Sequence, residues 1–178
     1  MRIETDRLII RSLARDDAAV FAEMARDGSL SDIGFDADCA AWIDDWIKEA
    51  LALSAQDDAE KDYIACTVCL KRSGTVIGSI GCSYYKDLKQ VGITFFIGQS
   101  YRKNGFAAES IRAYRDYFFA HYPQKKLIAT VREPNAPSWK AIEKCAFRLT
   151  ETKLYRDQGD DAPLLYRFYE CKKDDLRI

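Results

Sequence analysis

The 178-residue chain lacks several features that would assign it to a specialised class of protein. It has no apolar run of the roughly 18–20 residues that a membrane-spanning helix needs. Residues 1–7 are charged and lack the apolar centre of a secretory signal. Internal repeats, low-complexity stretches and linkers rich in Pro, Gly or Ser are also missing. The sequence therefore predicts a single domain over residues 1–178, located in the cytoplasm.

Histidine is nearly absent as well, and the cysteines do not form a pattern typical of a metal site. Cys66 and Cys69 spell C-x-x-C, but residues three apart in a strand point to opposite faces. No second Cys pair exists, and His121 is the one histidine. The six cysteines lie mostly in apolar segments, where Cys behaves as a small hydrophobic residue. We therefore expect free thiols, no disulfides and no metal.

Charge is balanced overall but unevenly distributed along the chain. The net charge is −1 and the pI is about 5.9, which does not favour nucleic acid as the main partner. Residues 1–100 carry a net −6 and residues 101–178 a net +5. Much of the negative charge lies within residues 31–62, at Asp32, Asp36, Asp38, Asp44, Asp45, Glu49, Asp57, Asp58, Glu60 and Asp62.

Hydrophobic periodicity and turn residues predict seven strands and four helices. The strands are expected at residues 7–13, 63–70, 75–84, 90–97, 127–131, 147–156 and 164–171. The helices are expected at residues 16–28, 38–53, 105–121 and 137–144. Antiparallel strands followed by a strand–helix–strand unit indicate one α/β domain with a mixed sheet.

A polar turn between the fourth predicted strand and the long helix is the most informative stretch. A helix start presents unpaired N–H groups and the positive end of the helix dipole. Gly105 and Ala107 leave room for phosphate oxygens, and Arg102 and Lys103 add positive charge. The turn favours binding of a pyrophosphate, although a basic loop before an ordinary helix would look the same. The G-x-G-x-x-G and G-K-[ST] motifs of other nucleotide sites are absent.

Four motifs occur in the order seen in one known family. Arg102–Ala107 fits [R/Q]-x-x-G-x-[G/A], and Asn135–Ser138 with Ile142–Phe147 fits N-x-x-S followed by L-E-K-x-G-F. The opening Glu4–Arg11 is similar to E-T-E-R-L-x-L-R, and Val76–Ile80 to x-I-G-x-I. The chain thereby resembles the GNAT acetyltransferase superfamily, in the branch typified by the RimJ and RimL ribosomal-protein acetyltransferases.

The resemblance implies a fold and a cofactor. The fold is a mostly antiparallel, twisted mixed sheet flanked by helices, with its fourth and fifth strands splayed apart. Acetyl-CoA is the implied co-substrate, without a metal, and its pantetheine arm would lie between the splayed strands. The implied cofactor-binding residues are Phe95, Phe96, Ile97, Arg102, Lys103, Asn104, Gly105, Phe106, Ala107 and Asn135. Asn135 is also a favoured residue at a helix N-cap, and both roles are compatible.

The resemblance also implies transfer of acetyl from acetyl-CoA to a primary amine by direct attack in a ternary complex. The attacking ammonium must first lose a proton, and the thiolate leaving group must gain one. Many relatives use a glutamate where this chain has Gly92 and a tyrosine where it has Ile142. Ser138 remains as the candidate catalytic residue, donating a proton to the thiolate. Its alternative role is that of an ordinary residue at a helix start.

Three smaller predictions concern residues around these motifs. Glu133 and Tyr84 are candidates for positioning a water. Glu109 is expected to be structural, because carboxylates are favoured in the first turn of a helix. Ala146 replaces the family's usual glycine, which would cost about 1 kcal/mol if the backbone there is left-handed.

The acceptor and the alternatives to catalysis stay open. The acceptor could be a protein N-terminus, a polyamine, an antibiotic or an amino-acid metabolite. The acidic segment would steer a cationic amine, and Phe35, Trp42 and Trp46 could line its site, although their helical spacing favours a core role. Gly92 and Ile142 motivate an alternative, an acyl-CoA-binding regulatory module without turnover. A nucleic-acid-binding protein is a third class; we expect no nucleic-acid or membrane partner, and a monomer or homodimer.

Overall fold

Eight strands form one sheet in the computed structural model, which describes residues 1–157 and 160–176. Their order across the sheet is β1-β2-β3-β4-β5-β6-β8-β7. All neighbours are antiparallel except β5 and β6, which are parallel. The strands are β1 (Arg2–Glu4), β2 (Leu8–Ser12), β3 (Tyr63–Leu70), β4 (Val76–Tyr85), β5 (Gln90–Ile97), β6 (Lys126–Arg132), β7 (Arg148–Tyr155) and β8 (Leu164–Lys172).

Helices cover both faces of this sheet. The described part of the chain contains α1 (Asp17–Ala25), α2 (Ile43–Ser54), α3 (Phe106–His121) and α4 (Ala136–Glu143). Short 3-10 turns occur at Ser31–Ile33, Ala37–Ala41, Gln99–Tyr101 and Lys173–Asp175.

Two hydrophobic cores result from the alternation of side chains along the strands. On β5, Val91, Ile93 and Ile97 pack in a core with residues of α3 and α4, whereas Phe96 points to the other face and packs in a core with α1 and α2. Thr130 of β6 therefore lies on the same face of the sheet as Phe96, because Val131 and its alternate neighbours lie in the α3 core. The sheet thus has an α3 face and an α1–α2 face.

The sheet opens between β5 and β6. Strand β4 pairs with β5 along the full stretch from Gly78 to Tyr85, and β6 pairs with β8 along its whole length. Between β5 and β6, by contrast, the described residues are in register at Gly92 and Ile128 alone. The predicted splay is confirmed. The fourth and fifth predicted strands are the fifth and sixth strands of the structure, because the short β1 was not predicted.

The predicted helix over residues 38–53 was wrong in its first part. The segment forms the 3-10 turn Ala37–Ala41, and α2 begins at Ile43. Trp42 lies between them with non-helical backbone angles, φ −127° and ψ −7°. Its ring packs against Phe35 at 5.3 Å between centroids, and Cys39 is fully buried. Packing of this segment onto the core outweighs the local preference for a continuous helix.

Candidate active site

The gap between β5 and β6 exposes backbone groups of β5. The N–H of Gly98 donates to Ile77 O of the β4 segment at 2.9 Å. Successive residues of a strand direct their backbone groups to opposite neighbours, so Phe96 also faces β4, while Phe95 and Ile97 face β6. Because β6 does not pair with β5 there, the N–H and C=O groups of Phe95 and the N–H of Ile97 face the gap, while the Ile97 carbonyl accepts from Arg102 Nε. The predicted site residue Phe96 instead has its backbone directed at β4 and its ring against Phe21 and Phe35.

The predicted phosphate turn follows directly after β5 and leads into α3. Lys103 and Gly105 both have left-handed backbone angles, with φ of +65° and +79°. Gly105 is the N-cap of α3, and no side chain caps the helix start. The residues from Arg102 to Gly105 are exposed, and Phe106 and Ala107 are half-buried. The turn thus presents the N–H groups of a 16-residue helix to solvent, as an anion site requires.

Side chains of the turn hold its shape. Arg102 Nε donates to Ile97 O at 2.9 Å, and its Nη2 donates to Ser29 O at 2.9 Å. The Asn104 side-chain amide donates to the carbonyls of Tyr101 and Arg102 at 3.2 and 3.0 Å. Arg102 therefore ties the end of β5 to the loop after α1, rather than pointing away from the protein. Arg102 and Asn104 are thus engaged by the protein, whereas Lys103 makes no side-chain hydrogen bond within the part of the chain that the structure describes.

The amino-terminal segment reaches the same turn. Arg7 Nε donates to Glu109 Oε2 at 2.7 Å, its Nη1 donates to Asn104 O at 3.0 Å, and its guanidinium lies over the Phe106 ring at 4.7 Å. Thr5 Oγ1 donates to Glu109 Oε1 at 2.6 Å. Burial raises the pKa of Glu109, but the hydrogen bonds from Thr5 and Arg7 outweigh it and lower that pKa. Glu109 is structural, as predicted. The sequence analysis did not predict the hydrogen bond between Arg7 and Asn104, which are 97 residues apart.

Asn135 and Ser138 lie at the start of α4, just after β6. Asn135 Oδ1 accepts from the Ser138 N–H at 3.3 Å, so the predicted N-cap role is confirmed. Trp139 Nε1 donates to Glu133 O at 3.1 Å, which fixes the helix against the end of β6. Both Asn135 and Ser138 are half-buried. Ser138 therefore lies beyond the end of one of the two strands that border the gap.

The two positions where relatives carry proton-handling residues are filled by packing. Gly92 is buried, and a Cβ placed on it would lie 2.5 Å from Cε2 of Tyr85. The Tyr85 ring thus occupies the space of a side chain at position 92. Ile142 is fully buried in the α3 core. The water-positioning candidates are also engaged: Tyr84 packs against the α3 core, and Glu133 pairs with Arg167 at 2.9 Å.

A polar cluster on the α1–α2 face escaped the sequence reasoning. The Tyr85 hydroxyl lies 3.0 Å from Thr130 Oγ1, which lies 3.5 Å from Asp157 Oδ2. Burial raises the pKa of the Tyr85 phenol well above its ordinary value. The signal that could have found this cluster is the alternation of β6, which brings the polar Thr130 and Arg132 to one face.

Asp160 forms the second half of that cluster. It is buried, and its carboxylate accepts from Tyr166 Oη at 2.9 Å, from the Asp157 N–H at 3.0 Å and from Arg132 Nη2. Burial raises the pKa of Asp160, but the bonds from Tyr166, Asp157 and Arg132 outweigh it, so the pKa lies below its usual value. Asp160 is therefore an ionised structural centre that holds the segment after β7 against the end of β6 and the start of β8.

No group of three or more His, Cys, Asp or Glu side chains that could hold a metal ion occurs in residues 1–157 and 160–176. All six cysteines are free and buried. Over the same described ranges, no helix combines the length and apolar character needed to cross a membrane. Gln158, Gly159 and the side chain of Asp32 lie outside the described residues.

Solved structures share this fold at low sequence identity. A GNAT-family acetyltransferase from Bacillus anthracis has a TM-score of 0.81 at 18% identity, covering 98% of this chain and 99% of its own. RimJ of Mycobacterium smegmatis, solved with CoA-disulfide, has a TM-score of 0.76 at 17% identity, covering 96% and 84%. The ribosomal-protein-S5-alanine acetyltransferase of Vibrio fischeri has a TM-score of 0.76 at 15% identity, covering all of both chains.

A comparison with curated proteins found no match. A family profile described as an acetyltransferase (GNAT) domain matches residues 7–148, which includes the gap, the phosphate turn and α4. The match begins at Arg7, the residue that anchors the phosphate turn from the amino-terminal side. The chain belongs to the GNAT acetyltransferase family.

Proposed function

We propose that this protein transfers an acetyl group from acetyl-CoA to a primary amine by direct attack in a ternary complex. One observation carries the proposal: the gap beside Phe95 and Ile97 leads, within ten residues of chain, into the uncapped start of α3. A long thioester with a pyrophosphate fits that combination, because the gap offers strand hydrogen bonds and the helix start offers anion contacts. The family membership supports the same reaction.

The cofactor is proposed to lie along this path. The pyrophosphate would bind at the backbone of Lys103–Ala107, with Lys103 adding charge and Arg102 and Asn104 holding the turn. The pantetheine arm would bond to the backbone of Phe95 and Ile97, and Asn135 would contact the arm from the start of α4. Bound acetyl-CoA supplies an activated acyl group, whose thiolate leaves when the amine attacks.

Ser138 is proposed as the proton donor to the departing thiolate. The amine nitrogen forms a bond to the carbonyl carbon and the C–S bond breaks. The sulfur takes its proton from the Ser138 hydroxyl, and the Ser138 oxygen regains a proton, through solvent, from the nitrogen that loses one as the amide forms. Gly92 and Ile142 cannot take part, since neither has a protic side chain. The Ser138 N–H is already engaged by Asn135, which fixes the residue while leaving its hydroxyl for this role.

The proposed acceptor is the α-amino group of a protein or peptide. RimJ and the S5-alanine acetyltransferase share the fold along nearly the whole chain. An alanine side chain contains no nitrogen, so the amine of an acceptor alanine is its α-amino group. The acidic residues at the start of α2, Asp44 and Asp45, would attract such a cation. We place the reaction in the cytoplasm, supported by six free thiols.

Binding and turnover are tested separately. Calorimetry and thermal shift with CoA and acetyl-CoA should both show binding, and a ligand at about 100 times its Kd adds roughly 2.7 kcal/mol of stability. Release of free CoA thiol is then measured with peptides beginning in alanine or serine, and with spermine as a small polyamine. Binding with no thiol release from any amine would favour the regulatory module. No thermal shift at millimolar CoA would contradict the proposed cofactor.

A further inference from the structure

The two edges of the sheet differ in length and in exposure. One edge is β1, which has three residues, and the other is β7, which has eight. Six of the eight residues of β7 are exposed and the other two are half-buried. Proteins usually keep edge strands short or covered, because their unpaired N–H and C=O groups can bind another strand. Within the part of the chain that the structure describes, β7 is thus a long strand with one side unpaired.

Exposed leucines are concentrated at this edge. Six large apolar side chains are exposed in the described residues, and four of them lie on β7 and β8, namely Leu149, Leu154, Leu164 and Leu165. Leu154 has the largest exposed fraction, 70%. It is in register with Leu165, so both side chains lie on the same face of the sheet. An exposed apolar patch beside an unpaired strand is typical of a surface that binds a partner.

A second copy of this chain can pair with β7 in few registers. Two identical antiparallel strands in one sheet are related by a two-fold axis perpendicular to the sheet, which keeps each residue on the same face in both copies. Residues directly opposite each other must share a face, so one residue of the strand must lie opposite its own copy. The regular part of β7 begins at Glu151, because its register on β8 shifts between Leu149 and Glu151.

The charges of β7 favour Thr152 as the residue on the axis. An axis at Glu151 or Lys153 would place like charges directly opposite each other, which is destabilising, and an axis beyond Lys153 would leave most of β7 unpaired. An axis at Thr152 places Glu151 of each copy opposite Lys153 of the other. It also places the exposed Leu154 opposite Thr150. The side chains of Glu151 and Lys153 are 51% and 42% exposed, so both can contact a second strand.

We propose that β7 pairs with β7 of a second copy to form a homodimer, with Thr152 on the two-fold axis. The two eight-stranded sheets then become one continuous sheet. Both copies use the same surface, so association stops at two chains. Strands β6 and β8 separate this contact from the gap between β5 and β6, so the contact lies away from both proposed cofactor sites. The inference is therefore independent of the proposed acetyl transfer.

The test is the mass in solution, measured by sedimentation equilibrium at micromolar concentrations. The unaltered protein should have twice the chain mass of 20.3 kDa. Glu151→Lys places a lysine opposite Lys153 at two points of the contact, and we expect the association constant to fall by about tenfold or more. Lys153→Glu should have the same effect, because two carboxylates then face each other. The double variant Glu151→Lys with Lys153→Glu should dimerise again, since opposite charges face each other with their positions exchanged.

A mixture of the two single variants gives the sharpest result. Each should be largely monomeric alone, but Glu151→Lys has two lysines at the positions that face two glutamates in Lys153→Glu. The mixture should therefore form a heterodimer of twice 20.3 kDa. A local effect within one chain cannot produce this result, because mixing leaves each chain unaltered. Glu23→Lys is the matched control, since it breaks an exposed ion pair with Arg26 in α1 and should leave the mass unchanged.

Backbone hydrogen exchange locates the contact. Exchange within residues 150–154 should be slower in the unaltered protein and in the mixture than in either single variant alone, and circular dichroism should show that both single variants are folded. A monomer at every micromolar concentration would overturn the proposal. A dimer that survives both single changes would do so as well, because its contact then lies elsewhere. Failure of the mixed variants to associate would show that residues 151 and 153 do not face each other.

Discussion

Two regions beside the gap between β5 and β6 are constructed differently. The phosphate turn is six consecutive residues, mostly exposed, and it offers backbone N–H groups at a helix start. The polar cluster on the α1–α2 face joins Tyr85, Thr130 and Asp157. Tyr85 and Thr130 are 45 residues apart along the chain, and Thr130 and Asp157 are 27 residues apart. The cluster is half-buried and consists of side-chain hydroxyl and carboxyl groups. A backbone site depends on conformation at a few positions, whereas a side-chain site depends on each functional group.

The largest expected effect concerns the backbone site. Gly105→Asp should abolish measurable CoA binding, a loss of about 100-fold or more, because a carboxylate would enter the anion site and repel phosphate. Gly105 also has φ +79°, where a side chain costs roughly 1 kcal/mol. Gly105→Ala is the matched control, since it carries that strain without the charge. Calorimetry with CoA should rank the two variants, and normal CoA binding by Gly105→Asp would place the cofactor elsewhere.

The next effect concerns a side chain beside the gap. Ser138→Ala should lower kcat and kcat/KM together by about 10²-fold or more if the hydroxyl protonates the thiolate. CoA affinity should change little, because the Asn135 cap bonds to the backbone N–H of residue 138 and survives the substitution. Steady-state kinetics with an established acceptor, alongside calorimetry, gives both values. A loss below about threefold would return Ser138 to a helix-start role.

A smaller effect is expected at Arg7, whose side chain supports the backbone of the phosphate turn. Arg7→Ala should weaken CoA binding about tenfold, roughly 1.4 kcal/mol, because it leaves Glu109 unneutralised beside the phosphate turn. The double variant Arg7→Ala with Glu109→Gln should recover most of that affinity. Calorimetry in low and high salt is the measurement. If the double variant loses as much CoA affinity as Arg7→Ala alone, Arg7 itself contacts the cofactor.

The same contrast explains what could be predicted from the sequence. The phosphate turn follows from a contiguous pattern, since a turn glycine and a helix start are local features, and the splay was implied by the family resemblance. The Tyr85 cluster could not be predicted, because strand register decides which residues of β4 and β6 meet across Gly92. The hydrogen bond between Arg7 and Asn104 could not be predicted either, because it joins segments that only the fold brings together. Trp42 broke a predicted helix because its packing against Phe35 is a tertiary effect.

The smallest expected effect tests backbone conformation away from the site. Ala146 follows α4, is exposed and has φ +62°, a left-handed conformation that costs a residue with a Cβ about 1 kcal/mol. Ala146→Gly relieves that cost but increases the freedom of the unfolded chain, which costs about 0.4–1 kcal/mol, so the net gain in unfolding free energy is at most about 0.6 kcal/mol. For a chain of this length the melting temperature should rise by at most about 2 °C. Ala52→Gly is the matched control.

Ala52 is also exposed, but it lies within α2, where glycine is unfavourable by about 1 kcal/mol and the melting temperature should fall. The same substitution is thus expected to have opposite signs at the two positions, and the sign depends on φ alone because neither side chain is buried. Thermal unfolding and urea titration of both variants give the comparison. Destabilisation by Ala146→Gly equal to that by Ala52→Gly would show that the turn after α4 is not left-handed in solution. Activity should be unchanged in both, since neither residue lies beside the gap.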